Sequence, residues 1–335
     1  MAQLPASAPP GTSAAQRTQV GGSRGLYAIL TVLLIVVLLG LDALVLALNN
    51  PSQRLANHDY VAVGDSLTFG FEPDGNFIDG FADDLFADLQ RANATTLRNY
   101  ACAGESTTTM LNGHCPNPLF KHIQYDGPQL DAALQFLNAH HGAVNPVTLE
   151  MGANDVIQDF NRSTCTIGSN TDADLANMDT NLTQTIIPKL LAALRTPSGP
   201  VTGDLVMLNF YNPFAKVCPN SAPFVHMFND HLAADAAQFR IPLVDVYGAF
   251  GGDDHMAANI CTYTWACDNA FGDDIHPRPQ GYRVIADAVE HALGYPGVGP
   301  LQNPMQNPPL QYPVQFGAAM PLLGPRDARL RQREA

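Results

Sequence analysis

The chain has 335 residues, 46% of them hydrophobic and 14% charged, which is enough apolar material for one large core with tails or two modest domains. Its formal net charge is -14, with 17 Lys and Arg against 31 Asp and Glu, so the balance argues against a phosphate-binding surface and with it a nucleic-acid function. Acidity of this kind favours solubility and leaves the substrate open.

Residues 1–25 are rich in Ala, Gly, Pro, Ser and Gln, with Arg17 and Arg24 their only charges, and read as a disordered cytoplasmic N-terminus. Residues 26–48 are almost wholly apolar. As a helix they would cover roughly 30 Å of hydrocarbon, and no polar face marks them as a soluble buried helix. Two readings compete, an uncleaved membrane anchor and a cleaved export signal. Asp42 disfavours a centred span, since an ionised Asp at mid-bilayer costs roughly 2.5 to 3.5 kcal/mol, and Val45-Leu46-Ala47 resembles a cleavage site. The apolar run before Asp42 already exceeds a usual signal core, which favours the anchor. In either case the basic residues ahead of the segment send the rest of the chain out, so the expected address is extracytoplasmic, anchored or secreted.

The cysteines agree. Cys102, Cys115, Cys165, Cys218, Cys261 and Cys267 all follow the apolar segment, and an even count outside the cytoplasm suggests three disulfides. Spacing favours Cys102 with Cys115 and Cys261 with Cys267, leaving Cys165 for Cys218, with other pairings open. No Cys-x-x-Cys or paired His spacing supports zinc.

Residues 57–294 read as one α/β domain. Tyr60 to Val63 predict a short buried strand that turns at Gly64 and presents Ser66 at its carboxyl end, where ligands bind in open α/β sheets. Phe81, Leu85 and Leu89 recur at helical spacing, with Asp83, Asp84 and Asp88 expected to face water. A second strand over 97–101 leads to the Gly104 loop, and a helix follows with Leu130, Ala133, Leu134 and Leu137 on one face. A third strand over 146–151 runs into Gly152-Ala153-Asn154-Asp155. The pattern Leu175, Met178, Leu182, Ile186, Leu190 predicts a long helix that Pro188 kinks or splits. Strands over 204–210 and 241–246 flank a helix around Phe224, Phe228 and Leu232, and a last helix begins near Gly281. Alternating strands and helices point to a doubly wound, mainly parallel five-stranded sheet flanked by helices, preceded by the transmembrane or signal helix. Residues 295–335 read as a Pro-rich disordered tail.

The last helix is preceded by Asp273-Asp274-Ile275-His276-Pro277. Asp273 and His276 stand three apart, close enough in a tight turn for a carboxylate to accept the Nδ1 proton and leave Nε2 for a serine. Asp274 is the alternative partner, at a poorer spacing. As isolated patterns, a Gly-Asp-Ser turn and an Asp-x-x-His turn are ordinary loops. In order, however, Gly64-Asp65-Ser66-Leu67, Gly104, Gly152-Ala153-Asn154-Asp155 and Asp273-x-x-His276-Pro277 resemble the SGNH, or GDSL-type, esterase and lipase superfamily across roughly residues 59–293.

The resemblance implies a flavodoxin-like three-layer sandwich. Ser66 would be the nucleophile, His276 the base and Asp273 the orienting acid, and the oxyanion hole would be formed by the N–H groups of Ser66 and Gly104 and the Asn154 amide. It implies an extracytoplasmic serine esterase acting through an acyl-serine on small-molecule, lipid or acylated-glycan esters, as a monomer, without metal or organic cofactor. A polysaccharide O-acetyl esterase is the nearest alternative, and an inactive surface-binding module is the alternative of another class. Asp65 is expected to fix the turn and Asp155 to support Asn154 or cap a helix. The Asp253-Asp254-His255 cluster is expected to be solvated loop, and Trp265 is assigned equally to a pocket wall or to the core. The remaining helical histidines carry no expected chemistry.

Overall fold

The computed structural model describes Tyr27 and residues 29–32, 58–195, 203–271 and 274–295. The chain divides into two units, Met1–Asn50 and Pro51–Ala335. In the first, the described residues are helical and exposed, with the Thr31 hydroxyl donating to the Tyr27 carbonyl at 2.8 Å. Among the described residues no helix is long and apolar enough to cross a membrane. The expected N-terminal tail, most of the 26–48 segment and all but Tyr295 of the Pro-rich tail lie outside the described residues.

In the second unit, β1 (Asp59–Gly64) is the strand that Tyr60, Val61, Ala62 and Val63 predict, and all four are fully buried because both faces are covered. It turns at Gly64 into α1 (Ser66–Phe69), followed by α2 (Phe81–Arg91) and β2 (Leu97–Asn99). Then come α3 (Thr107–Asn112), α4 (Gln129–Ala139), β3 (Val144–Glu150) and α5 (Ala153–Val156). A small antiparallel hairpin, β4 (Phe160–Asn161) with β5 (Thr166–Ile167), precedes α6 (Thr171–Asn181) and α7 (Ile187–Ala193). The domain closes with β6 (Leu205–Leu208), α8 (Ala222–Phe239), β7 (Leu243–Val244), α9 (Val246–Ala249), α10 (Gly252–Tyr263) and α11 (Pro279–Leu293).

The main sheet is five-stranded and wholly parallel, in the order β2-β1-β3-β6-β7. The chain steps outward from β1 to β2, then reverses past β1 to β3, β6 and β7. Right-handed crossovers therefore place α2 on one face and α4, α7 and α8 on the other, while α11 returns to lie along α2. The reversal is at β1. The crevice of such a sheet opens at the carboxyl end of that strand, where Ser66 stands.

Two expectations change in detail. Asp83 and Asp88 do not face water; both are buried. Asp83 Oδ2 accepts the Gly80 N–H at 3.2 Å and caps α2, whereas Asp88 pairs with Arg283 of α11 at 2.7 Å and Arg91 at 2.8 Å. The helix at Pro188 widens to a π-helical stretch over Leu182–Ile186 and resumes at Ile187 with the proline in its first turn, where the missing N–H does least harm.

Candidate active site

The turn after β1 accommodates only glycine. A Cβ on Gly64 would sit 2.1 Å from Thr68 Oγ1 and 2.5 Å from the Glu150 carbonyl oxygen. The side-chain amide of Gln129 clamps the same residue from the other side, accepting the Gly64 N–H at 2.9 Å and donating to its carbonyl at 2.8 Å. Asp65 then caps α1, its Oδ1 accepting the Leu67 N–H at 2.9 Å. These constraints hold Ser66 at the first position of a short helix.

His276 meets it across 210 residues of sequence. Its Nε2 lies 2.8 Å from Ser66 Oγ, and its Nδ1 lies 2.6 Å from Asp274 Oδ1. Asp273, to which the sequence points, lies outside the described residues; among those described, the partner of the imidazole is Asp274. The reason is an Asx turn: Asp274 Oδ1 also accepts the backbone N–H of His276 at 2.9 Å, which folds the carboxylate back onto the ring two residues on. Burial pushes the Asp274 carboxyl up, but the hydrogen bonds and charge of His276 outweigh it and hold the group below its ordinary value. The imidazole packs on Phe71 with centroids 4.7 Å apart.

The loop carrying His276 is tied down at several points. The Tyr211 hydroxyl donates to the Ile275 carbonyl at 2.7 Å, and the Trp265 N–H donates to the His276 carbonyl at 3.0 Å. Arg278 reaches the Thr264 carbonyl and Asp268, and its guanidinium lies 4.0 Å from the centre of the Trp265 ring. Trp265 is thus a support for this loop, and it does not line the cleft. The Cys261–Cys267 disulfide closes the segment that contains it.

Gly104 adopts φ +83, and a Cβ there would meet Asn117 Nδ2 at 2.8 Å, so both backbone and space require glycine. The Cys102–Cys115 disulfide joins this loop to the segment bearing Asn117, which donates to the Ala103 carbonyl at 2.8 Å. Cys165–Cys218 spans 53 residues and links the β4–β5 hairpin to the segment before α8. Among the described residues, the N–H groups of Ser66 and Gly104 have no hydrogen-bond partner. Asn154 differs: its Nδ2 donates to Asp65 Oδ2 at 2.8 Å and to the Glu105 carbonyl at 3.0 Å, so both of its hydrogens are engaged. Asp155 accepts the N–H and hydroxyl of Thr107 at 2.9 and 2.6 Å, fixing the start of α3.

Ser66, His276, Gly104 and Asn154 line one cleft of about 310 Å³, whose walls include Leu67, Phe71, Phe120, Ile157, Phe210 and Ile275. The Asp253-Asp254-His255 cluster lies elsewhere, exposed in the first turn of α10, where Asp253 binds the Tyr247 hydroxyl and His226. Of the other helical histidines, His140 binds the Phe136 carbonyl, His141 the Ala193 carbonyl and His231 Asp179. The one group of metal-type ligands gathered among the described residues is Cys102, Glu105 and Cys115, and the disulfide removes both thiolates from it.

Chemically, the cleft offers a hydroxyl with an imidazole and a carboxyl in line behind it, beside N–H donors without partners among the described residues. Residues 62–284 match the model of the GDSL-like Lipase/Acylhydrolase family. No curated protein matches the chain. Among solved structures, an alpha/beta hydrolase enzyme from the metagenome of Lake Arreo, Spain, is 19% identical, with 72% of this chain and 96% of that chain covered and a TM-score of 0.47. An acetylxylan esterase from Geobacillus stearothermophilus is 13% identical, with 71% and 95% covered and a TM-score of 0.47. Because the family match runs from Ala62 in the central strand to Val284 in the closing helix and takes in the whole cleft floor, this chain belongs to the GDSL-like lipase/acylhydrolase family and is a carboxylic ester hydrolase.

Proposed function

We propose that the cleft hydrolyses aliphatic carboxylic esters through an acyl-serine, with Ser66 as nucleophile, His276 as base and then acid, and Asp274 as the orienting carboxylate. The observation that carries this is the line of short contacts from Asp274 through His276 to Ser66, 2.6 and 2.8 Å, at the floor of a largely apolar cleft. Ser66 Oγ attacks the ester carbonyl as its proton passes to Nε2, and the protonated ring then gives that proton to the departing alcohol. Water enters by the same route in reverse and releases the acid. The ionised Asp274 stabilises the imidazolium in both halves.

The N–H groups of Ser66 and Gly104 are the first donors to the oxyanion, and Asn154 joins them by sharing one of its engaged hydrogens. The apolar walls favour an acyl chain over a small acetyl group. Three disulfides fit an oxidising compartment, and with the apolar 26–48 segment they support an extracytoplasmic enzyme held at the membrane by that segment.

Hydrolysis of p-nitrophenyl esters of increasing chain length, with Ser66→Ala alongside, tests the reading. Turnover is expected to rise beyond acetyl and to fall by about 10⁴-fold or more in the variant. Full activity of Ser66→Ala would remove the nucleophile assignment, and a preference for acetyl alone would redirect the substrate to O-acetylated glycans.

A further inference from the structure

Beneath the nucleophile lies a second acidic group that the esterase chemistry above does not use. Glu150 ends β3, in register with Gly64 of β1, and is 2% exposed. Its Oε2 accepts the Thr68 hydroxyl at 3.1 Å, whereas its Oε1 is buried and meets no N–H or hydroxyl donor. The Glu150 carboxyl is within hydrogen-bonding reach of the Asp65 carboxyl. Asp65 is itself 1% exposed, and both of its oxygens already accept N–H bonds, from Leu67 and from Asn154. Two carboxylates cannot satisfy each other; a proton between them can.

No ion pair among the described residues brings Lys or Arg to either group. Two ionised carboxylates in contact, buried and with no cation beside them, would carry mutual repulsion together with a desolvation penalty that their hydrogen bonds relieve only in part. The other titratable groups around Asp65 do not change this: His276 attracts its charge, while Glu105, fully buried, and Tyr211 add none that is positive. We propose that Glu150 is a positioning residue, that it and Asp65 share one proton carried on the otherwise unpaired Oε1, and that this proton keeps Asp65 turned toward the Asn154 amide and the first turn of α1.

Burial raises both carboxyl groups, and the neighbouring Glu150 raises Asp65 further, whereas hydrogen bonds from Asp65 and Thr68 offset part of the rise of Glu150; the pair as a whole retains a proton. The arrangement has two consequences for the reaction. Asp65 is held as the acceptor that locates Asn154, and a second negative charge is kept away from the place where the oxyanion forms. The inference rests on the Ser66 reading for its kinetic effect, but the proton itself has a readout that does not depend on activity.

Glu150→Gln replaces the shared O–H with an N–H of similar reach, and is expected to keep kcat within about threefold of wild type. Glu150→Ala leaves Asp65 without a partner below it, and is expected to lower kcat by about tenfold or more with little change in KM. In the infrared difference between wild type and Glu150→Gln near neutral pH, the carbonyl stretch of one protonated carboxyl should be present in wild type and absent in the variant. Loss of an ionised carboxylate band alone would overturn the shared proton. Full activity of Glu150→Ala would overturn the positioning role, as would Glu150→Gln being as impaired as Glu150→Ala. Should Glu150→Ala fail to fold, Glu150→Gln and its spectrum still decide the matter. If Ser66→Ala proved active, the nucleophile reading would fall while the spectrum still reported on the pair.

Discussion

At the residue scale, the choice between two adjacent aspartates turns on local backbone geometry. Asp-x-x-His looks like the better spacing because three residues can close a turn, yet an Asx turn brings the carboxylate of Asp274 back over a shorter path. The same oxygen binds the His276 backbone N–H and its ring. Asp274→Asn is expected to lower kcat by about 10²- to 10⁴-fold, because the ring then loses both its oriented tautomer and the charge that stabilises imidazolium. Steady-state kinetics of Asp274→Asn beside Asp273→Asn checks this, and a greater loss in the latter would return the role to Asp273. Because Asp274 is held below its ordinary value, it stays ionised as pH falls through the weakly acidic range. A protonated ring cannot accept the serine proton, so turnover requires the neutral imidazole.

At the scale of elements, the site is made by strand ends, and these were the most legible part of the chain. Val61 and Val63 between small residues mark a central strand, and Gly64 marks its turn, because these residue types answer to local sterics and burial. The consequence is a turn with no spare volume. Gly64→Ala would drive a Cβ against Thr68 Oγ1 and the β3 backbone, and is expected to destabilise the domain by about 1 to 3 kcal/mol and to depress kcat by displacing Ser66. A denaturant midpoint equal to wild type would show that the turn yields more easily than its packing indicates. Less legible was the face of α2. Spacing correctly marks Phe81, Leu85 and Leu89 as core, but Asp88 on another face is covered by Arg283 of α11, a partner almost 200 residues away. Periodicity reports which face is apolar; it does not report what covers the other.

For the whole molecule, buried acids are a recurring cost of the fold. Burial raises Glu72 to about 8 and Glu290 to about 9, and Asp84 to about 7. A carboxyl whose folded pKa lies above its unfolded value binds more protons in the native state, so its stabilisation is complete in acid and is lost as pH rises through the folded value. The domain is therefore expected to have a higher Tm near about pH 5 than near about pH 9, and Glu72→Gln, which removes the titration while its one carbonyl oxygen can still accept from Trp265, should flatten part of that slope. Thermal melts across that range check the sign, and a Tm that climbs steadily with pH would contradict it.

The division between sequence and structure follows from range. Residue type and short spacing, which reflect backbone sterics, burial and turn chemistry, were sufficient to identify the parallel α/β fold, the serine at the central strand end, the glycine of the second loop and the family. Only the tertiary structure revealed that Asp274 meets the imidazole, that Asn154 is held by Asp65 and Glu105, that Gln129 clamps Gly64, that Tyr211 anchors the histidine loop, and that Glu150 sits under the nucleophile. Most of those partners lie tens of residues apart, and hydrogen bonds between polar groups leave no periodic trace in the chain; they exist because sheet packing brings several strand ends to one edge.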